Sequence, residues 1–371
     1  MSSRCRRAIY LLCFSLFCGF AQRNGLAGQS QSPESVPPSG DDHSITLDVV
    51  VTDKSGKPVA GLQQQDFTLM DNKQPQKILS FQAKAGAAST ADSPIEVILL
   101  MDEVNTTFSS VSYERTQIEN FLRRDGGELP RPVSMVFFTD TGATIGSTPT
   151  QDGNALLTEL NQSKFGLRTN RRSQGVYGAG ERLQSSLAVL KQLIDYAGPR
   201  PGRKIVIWIS PGWPLLSGPG IQLTAKYKEG LFNDIIALSG GLRRARITLY
   251  SIDPLGMADA GGLRTSYYQE FLKAVKNPNQ AQIGNLGLQV LAAQSGGRVL
   301  NSSNDIAGEI ATCIADANAF YVLSIESPAG DGPNEYHALD VKIDKPGLTA
   351  HTRLGYYAQP DQVRVRPSSR P

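Results

Sequence analysis

Four compact apolar runs alternate with amphipathic stretches in the middle of the chain, and this alternation restricts the possible fold most strongly. Compact, mostly apolar runs indicate strands covered on both faces, and they lie at residues 95–101, 133–138, 204–209 and 247–252. The stretches between them repeat apolar side chains at helical spacing, at residues 112–124, 181–196 and 231–242. Strands that alternate with helices predict an open, mostly parallel sheet with helices on both faces.

Further signals extend the same pattern. A helix is expected at residues 284–295, a last short strand at 296–300 and a last helix at 305–316. Cys313 lies in that last helix, where we expect it to be a small buried side chain. Together with the four strands, these elements predict an α/β domain over residues 94–317.

Both flanks of this domain have a pattern that is typical of short antiparallel strands. In residues 44–83 and 318–358, runs rich in β-branched and aromatic residues are separated by Asp, Asn, Gly and Pro. Neither segment is expected to form a stable sheet by itself. We therefore expect the two segments to pair into one β-sandwich, with the α/β domain inserted between them.

The first 27 residues have the three parts of a secretory signal peptide. Arg4, Arg6 and Arg7 precede an uncharged apolar run at residues 8–21, and small residues follow at 25–27. The apolar run is shorter than the roughly 20 residues that a membrane-spanning helix needs. We expect a secreted, periplasmic or envelope protein with no membrane span after cleavage. A retained anchor and lipidation at Cys18 are the alternatives.

The basic charge and the cysteines of the chain belong mostly to this leader. Of the 37 basic residues, four lie within residues 1–27, so the remainder has 33 basic against 34 acidic residues. A nearly neutral chain does not favour a nucleic-acid partner. After cleavage only Cys313 remains, which excludes an internal disulfide and a cysteine zinc site. Residues 28–43 and 359–371 are expected to be a disordered tether and tail.

The sequence contains none of the common catalytic motifs. It has no G-x-S-x-G or H-E-x-x-H sequence, and its histidines, His43, His337 and His351, fall outside the α/β region. We therefore expect a protein that is not an enzyme, with no catalytic residues and no organic cofactor. The basic run at residues 243–246 is compatible with an anionic partner, or with charges that complement a helix dipole and stay solvated.

Asp102 ends the first predicted parallel strand, at the position where α/β sheets bind ligands. This strand and four later segments together resemble the von Willebrand factor A-related proteins typical of Acidobacteria; the segments lie at residues 201–210, 250–253, 296–297 and 353–357. The resemblance covers roughly residues 44–358. It implies an exported protein with a von Willebrand factor A-type, Rossmann-like domain.

The metal-ion-dependent adhesion site of that family is incomplete in this sequence. The family pattern is D-x-S-x-S after the first strand, a Thr from a later loop and an Asp after the fourth strand. Asp102 matches the first position and Thr106 replaces the last Ser, but Val104 stands at the middle Ser and residues 211–212 are Pro-Gly where Asp-Gly is expected. Thr169 is a candidate for the loop Thr.

Two interpretations of this degenerate site stay open. In one, Asp102, Asn105 and Thr106 bind a divalent cation, Mg²⁺ or Ca²⁺, through their oxygens. In the other, Asp102 and Asn105 brace the loop by hydrogen bonds to backbone amides.

The favoured function is a non-catalytic binding module that contacts a protein or cell-surface polymer. Its contacts are expected in the loops at residues 102–109, 210–219 and 253–264, which follow the strands. Trp213 is the candidate for an exposed partner contact, and the alternative is an inward-facing lid on the core. A structural component of an envelope assembly is another possible function, as is a hydrolase that uses Asp102 or Asp253.

Overall fold

The structure is a computed structural model that describes residues 44–85, 94–146, 148–163, 176–213, 222–255, 267–328, 330 and 332–360. The predicted signal peptide and the predicted tether lie outside these residues, as does the tail from residue 361. The structure therefore does not describe Cys18, the residue considered for lipidation. All described residues belong to one unit, Asp41–Pro371.

The described residues form strands and helices in the following order along the chain. The strands are β1 (Ser44–Thr52), β2 (Phe67–Asp71), β3 (Gln74–Pro75), β4 (Ile78–Ala85), β5 (Ile95–Asp102), β6 (Glu128–Thr139), β7 (Gly142–Ile145), β8 (Thr150–Asp152), β9 (Arg203–Ile209), β10 (Ile247–Ile252), β11 (Val299–Leu300), β12 (Ala319–Glu326), β13 (Glu335–Ile343), β14 (Thr349–His351) and β15 (Gly355–Ala358). The α-helices are α1 (Phe108–Leu122), α2 (Gly153–Gln162), α3 (Val176–Ala197), α4 (Ala225–Arg244), α5 (Leu288–Gln294) and α6 (Ile306–Ala315). Short 3-10 helices lie at Gln64–Asp66, Arg124–Gly127, Tyr268–Phe271, Pro278–Gln280 and Ile283–Leu286.

The central sheet has seven strands and is mostly parallel. Its order is β11-β10-β9-β5-β6-β7, and β8 also pairs with β6. Strands β5, β6, β9, β10 and β11 pair in parallel, whereas β7 and β8 run antiparallel to β6. This arrangement confirms the predicted mixed α/β class with a mostly parallel sheet.

Helices cover both faces of this sheet, which explains why its central strands are mostly apolar. All seven residues of β9 are buried. Ile205, Ile207 and Ile209 pack in one apolar cluster with side chains of α1, α2 and α6. Val206 and Trp208 pack in a second cluster with side chains of α3, α4 and α5. Because side chains alternate along a strand, each strand contributes to both clusters.

Two helices begin earlier than their apolar pattern predicts, because a capping threonine precedes each of them. The Thr107 hydroxyl accepts a hydrogen bond from the Ser110 amide (3.3 Å), and α1 begins at residue 108 instead of 112. The Thr224 hydroxyl accepts one from the Tyr227 amide (3.2 Å), and α4 begins at residue 225 instead of 231. These added turns are more polar and lie next to the loops that follow the strands.

Two four-stranded antiparallel sheets are built from strands of both ends of the chain. Their orders are β14-β1-β12-β4 and β15-β13-β2-β3. β1 pairs with β12, with Ile45 opposite Ile325, and β2 pairs with β13, with Leu69 opposite Val341. Buried side chains from both sheets form one apolar cluster around Tyr321. Each sheet therefore requires residues from before and after the α/β region.

None of the helices in the described part of the chain combines the length and apolar character needed to cross a lipid bilayer.

Candidate functional site

The carboxyl ends of three parallel strands form the edge of the sheet where the sequence predicts a site. β5 ends at Asp102, β9 at Ile209 and β10 at Ile252, and we call this the carboxyl edge. The loops that follow start side by side because β9 pairs with both β5 and β10. Residues 214–219 and 256–264, which belong to the loops expected to contact a partner, lie outside the described residues.

Asp102 is fully buried, and both of its carboxylate oxygens are occupied by donors within the chain. Oδ1 accepts hydrogen bonds from the backbone amides of Val104 (2.9 Å) and Asn105 (3.0 Å). Oδ2 accepts from Asn105 Nδ2 (2.8 Å) and from the indole nitrogen of Trp208 (3.0 Å). A carboxylate has roughly four lone-pair sites. Asp102 therefore has no oxygen lone pair left for a cation.

The other two candidate ligands also take part in holding the loop. Asn105 Nδ2 donates a second hydrogen bond, to Ser186 Oγ on α3 (2.9 Å), and so ties the loop to a helix. Thr106 is buried, and its hydroxyl lies near the carboxyl group of Glu114 on α1. Val104, at the position where the family pattern has Ser, is buried in the apolar cluster of α3 and α4. An apolar side chain at that position packs instead of coordinating.

The rest of a metal site is also incomplete in the described part of the chain. Pro211 and Gly212 follow β9 where a second carboxylate is expected, and Thr169 lies outside the described residues. Among the described residues, no three His, Cys, Asp or Glu side chains are arranged to hold a metal ion. Bracing of the loop explains the hydrogen bonds of Asp102 and Asn105. Binding of a cation would need a carboxylate oxygen of Asp102 with a free lone pair, and both oxygens already accept two hydrogen bonds.

Below this edge lie two buried glutamates whose pKa values are raised. Burial raises the pKa of Glu114 well above its ordinary value, and the nearby carboxylate of Asp102 raises it further. Burial, followed by the charges of Asp253 and Asp305, raises the pKa of Glu309 on α6 to about 7. Burial therefore favours the protonated form of Glu114, and Glu309 is close to half protonated at neutral pH.

The sequence interpretation missed Glu114, although a signal for it exists. Glu114 comes three residues after Val111 and four before Ile118, so it falls on the apolar face of α1. All three residues are buried. A carboxyl group on the buried stripe of an amphipathic helix is costly unless it is protonated or paired.

The expectation that Trp213 is an exposed contact is wrong. Its side chain is only 3% exposed, and its ring packs edge-on against Trp208 with centroids 5.0 Å apart. Trp208 in turn packs edge-on against Phe138, at 6.0 Å. Burial of the large indole surface against two aromatic rings stabilises the inward orientation. Trp213 is the inward-facing lid of the alternative interpretation.

Three exposed tyrosines lie around the carboxyl edge instead. Tyr113 on α1, Tyr177 on α3 and Tyr227 on α4 are 39%, 84% and 44% exposed. Tyr113 and Tyr227 lie near the starts of their helices, in or just after the turns that the threonine caps add. Tyr177 is nine residues before Ser186, which contacts the Asp102 loop, so it lies about 13 Å further along the axis of α3. All three helix starts therefore lie on the carboxyl side of the sheet.

The histidines that the structure describes lie in the antiparallel sheets. His337 Nδ1 bonds to the Asp71 carboxylate at 2.9 and 3.0 Å, and the Tyr356 hydroxyl donates to the same carboxylate at 2.9 Å. His351 Nε2 lies 3.1 Å from the Thr52 hydroxyl. His43 is outside the described residues. Neither described histidine is placed to act with Asp102 or Asp253.

Comparisons with known proteins give distant similarities in structure only. No family model matches the sequence, and no curated protein matches it. Proximal thread matrix protein 1 from the mussel byssus is similar at a TM-score of 0.32 and 11% identity, over 72% of this chain and 50% of that one. The human COPII-coat protein Sec24c is similar at 0.30 and 11%, over 75% and 46%. This chain thus spans about half the length of these two proteins.

A conserved hypothetical protein from Bacteroides thetaiotaomicron, BatB, is similar at a TM-score of 0.30 and 11% identity. The match covers 61% of this chain and 98% of that chain. At such TM-scores the likenesses are too distant to indicate what this chain does.

Proposed function

We propose that this chain is an exported, non-catalytic binding module of the von Willebrand factor A-related type, which contacts a protein or surface polymer through its carboxyl edge. In this proposal the α/β domain is carried on a β-sandwich made by both ends of the chain. The pairing of β1 with β12 and of β2 with β13, and the apolar cluster that both sheets share, support that arrangement.

The observation that carries the proposed function is the set of exposed tyrosines at the carboxyl edge. Tyr113, Tyr177 and Tyr227 are the aromatic residues among the large, exposed apolar side chains of the described chain. Tyrosine is enriched at protein interfaces because it offers a large contact area and a polar hydroxyl at a low cost in side-chain entropy. Three such side chains around one edge favour a contact surface over a closed catalytic pocket.

The loop between β5 and α1 supports this proposal because it is held rigidly. Four hydrogen bonds to Asp102 and one between Asn105 and Ser186 fix its conformation. A surface ordered before binding loses less conformational entropy in a complex. The same hydrogen bonds argue against a hydrolase that uses Asp102, because its carboxylate has no free lone pair for a substrate or a water molecule.

A capture experiment with matched variants tests the proposed function. Immobilised wild-type protein is incubated with an envelope extract of the source organism, beside a Tyr177→Ala/Tyr227→Ala double variant and a Leu79→Ala variant. Leu79 is 52% exposed on β4, outside the central sheet, so it is the matched control. We expect the double variant to lose most of the captured partner, since interface tyrosines are frequent hot spots of about 2 kcal/mol or more.

The control defines the result that contradicts the proposal. Leu79→Ala is expected to capture as much partner as the wild type does. Equal capture by the tyrosine variant and the wild type would exclude the carboxyl edge as the contact surface.

A further inference from the structure

The start of helix α6 carries a buried carboxyl group that the proposed contact surface does not use. Glu309 lies in the first turn of α6 and is 9% exposed. Its Oε2 atom is buried and has no hydrogen-bond partner. A carboxylate that is buried without a donor is costly, and the neutral, protonated form avoids most of that cost.

Two further carboxylates lie close to Glu309. Asp305 caps α6, with its Oδ1 accepting from the Gly308 amide (2.8 Å), and residues four apart share a helix face. Asp253 directly follows β10, on which α6 packs. Arg124 lies 3.6 Å from Asp305, but the two side chains are 42% and 65% exposed, so solvent screens this pair. Burial, followed by the charges of Asp253 and Asp305, raises the pKa of Glu309 to about 7.

The other titratable groups around the start of α6 add no charge that opposes this effect. Helix α1 packs against α6 and carries the buried Glu114. Arg115, also on α1, lies 3.7 Å from Glu103. Cys313 is one turn further along α6, and burial raises the pKa of its thiol, which stays neutral. Glu309 therefore has acidic groups on its own helix, on α1 and after β10.

A hydrogen bond joins the start of α6 to the proposed contact surface. The exposed Tyr113 donates from its hydroxyl to the backbone carbonyl of Asn304 (2.6 Å), just before the capping Asp305. The end of α6 is anchored at the opposite edge of the sheet, the amino edge, where Arg203 Nη1 donates to the Asp316 carbonyl (3.1 Å). A displacement confined to the first turn of α6 would therefore move the carbonyl that orients Tyr113.

We propose that Glu309 is a pH-sensitive switch of the contact surface, whose neutral carboxyl group keeps the start of α6 in place and whose charged form loosens it. The charged form sets a largely buried carboxylate beside Asp253 and Asp305. Loosening of the first turn displaces Asn304 and frees Tyr113, so partner binding weakens as the pH rises through neutrality. This inference rests on the proposed function, because it regulates that same surface.

Hydrogen–deuterium exchange of the full chain, followed by mass spectrometry, tests the switch without a partner. Exchange of the backbone amides in the first turn of α6 is compared at about pH 6 and about pH 8, with labelling times scaled for the intrinsic exchange rate. Wild-type protein is compared with Glu309→Gln, which keeps the size of the side chain and removes its charge. The matched control is Glu181→Gln, at an exposed glutamate of α3.

We expect the protection of these amides in the wild type to fall about tenfold over this pH range. Linkage gives this value for a carboxyl group whose pKa is about 7 in the folded state and 4.5 after local opening. Glu309→Gln should be equally protected at both pH values, and Glu181→Gln should follow the wild type. Equal protection of the wild type at both pH values, or a pH dependence that Glu309→Gln retains, would overturn the proposal.

Capture from the envelope extract at the same two pH values tests the link to the contact surface. The wild type should capture several-fold less partner at the higher pH, whereas Glu309→Gln should capture equal amounts at both. Equal capture by the wild type, despite a change in its exchange, would also overturn the proposal. A wild type that captures nothing at either pH would contradict the proposed function instead, and the exchange result alone would then decide whether Glu309 is a switch.

Discussion

The two edges of the central sheet use buried charge in opposite ways. At the carboxyl edge, the Asp102 carboxylate is enclosed by four donors of its own chain. At the amino edge, Arg353 and Arg243 line an open pocket whose acidic residue, Asp48, is paired with Arg246. The Asp102 carboxylate, with all its hydrogen bonds made, holds a loop in place, whereas Arg353 donates to a neutral acceptor, the backbone carbonyl of Ser239. The hydrogen-bond partners of a buried charged group therefore decide its role in the fold more than its residue type does.

The largest effect is expected from Asp102→Ala. This substitution leaves the Trp208 indole N–H and the loop amides of Val104 and Asn105 without their acceptor in a buried site. Each buried donor left unpaired costs about 1–3 kcal/mol, and we expect a total loss of about 3–4 kcal/mol in the free energy of unfolding. Urea unfolding followed by circular dichroism measures it.

The control for this prediction is Asp195→Ala, which removes an exposed carboxylate from α3. It should change the free energy of unfolding by less than about 0.5 kcal/mol. An equally small change in Asp102→Ala would mean that Asp102 does not brace the loop.

The second prediction concerns Glu114 and the dependence of stability on pH. Its pKa is raised in the folded protein, so folding takes up a proton once the pH exceeds the ordinary value of 4.5. The free energy of unfolding that this raised pKa contributes is fully present below pH 4.5. It is lost as the pH rises toward the pKa of the folded state, by about 1.4 kcal/mol per pH unit. Glu114→Gln should remove this slope and be more stable than the wild type at pH 7.

Denaturant unfolding at a series of pH values between about 5 and 8 measures the slope. The matched control is Glu119→Gln, on the same helix but partly exposed and paired with Arg123. Its pH dependence should follow that of the wild type. If the free energy of unfolding of Glu114→Gln depended on pH as it does in the wild type and in Glu119→Gln, Glu114 would be charged in the folded state and paired with a hydrogen-bond donor or a cation.

The smallest effect is expected from added divalent cations. Because Asp102 offers no open oxygen, millimolar Mg²⁺ or Ca²⁺ should leave the melting temperature of the wild type unchanged. Thermal unfolding at constant ionic strength measures it, and a rise with Mg²⁺ that Asp102→Asn abolishes would restore the cation interpretation.

Much of the fold was predictable because its signals are local. The apolar runs place β5, β9 and β10 to within one residue at each end, since a strand covered on both faces has few polar positions. Helix α2 and strands β7 and β8 were missed because they are short and carry many polar residues. The helix expected at 284–295 is shorter: a 3-10 turn ends at Leu286, and α5 begins at Leu288 after the extended Gly287.

The candidate site was predictable only in part, because its partners are distant in sequence. The position of Asp102 follows from the end of β5, but its bond to Trp208 depends on the register of two strands, with Leu100 opposite Trp208. The proximity of Arg353 to Asp48 depends on the return of the chain after more than 300 residues. Local pattern carries no signal for such pairs. The exposure of Trp213 was predicted wrongly because its burial depends on the packing of its ring against Trp208, which the local sequence does not indicate.

The way the two antiparallel sheets are assembled also determines when the protein can fold during synthesis. β1 pairs with β12, so the strand that begins at Ser44 cannot pair with β12 until the chain has been synthesised up to Glu326. Contacts of such high sequence separation form slowly, and unpaired strands with exposed edges invite association with other chains. The first β segment therefore spends most of the synthesis time as an incomplete sheet. A chain that ended before β12 would leave β1 and β4 without their shared neighbour and would be prone to aggregation.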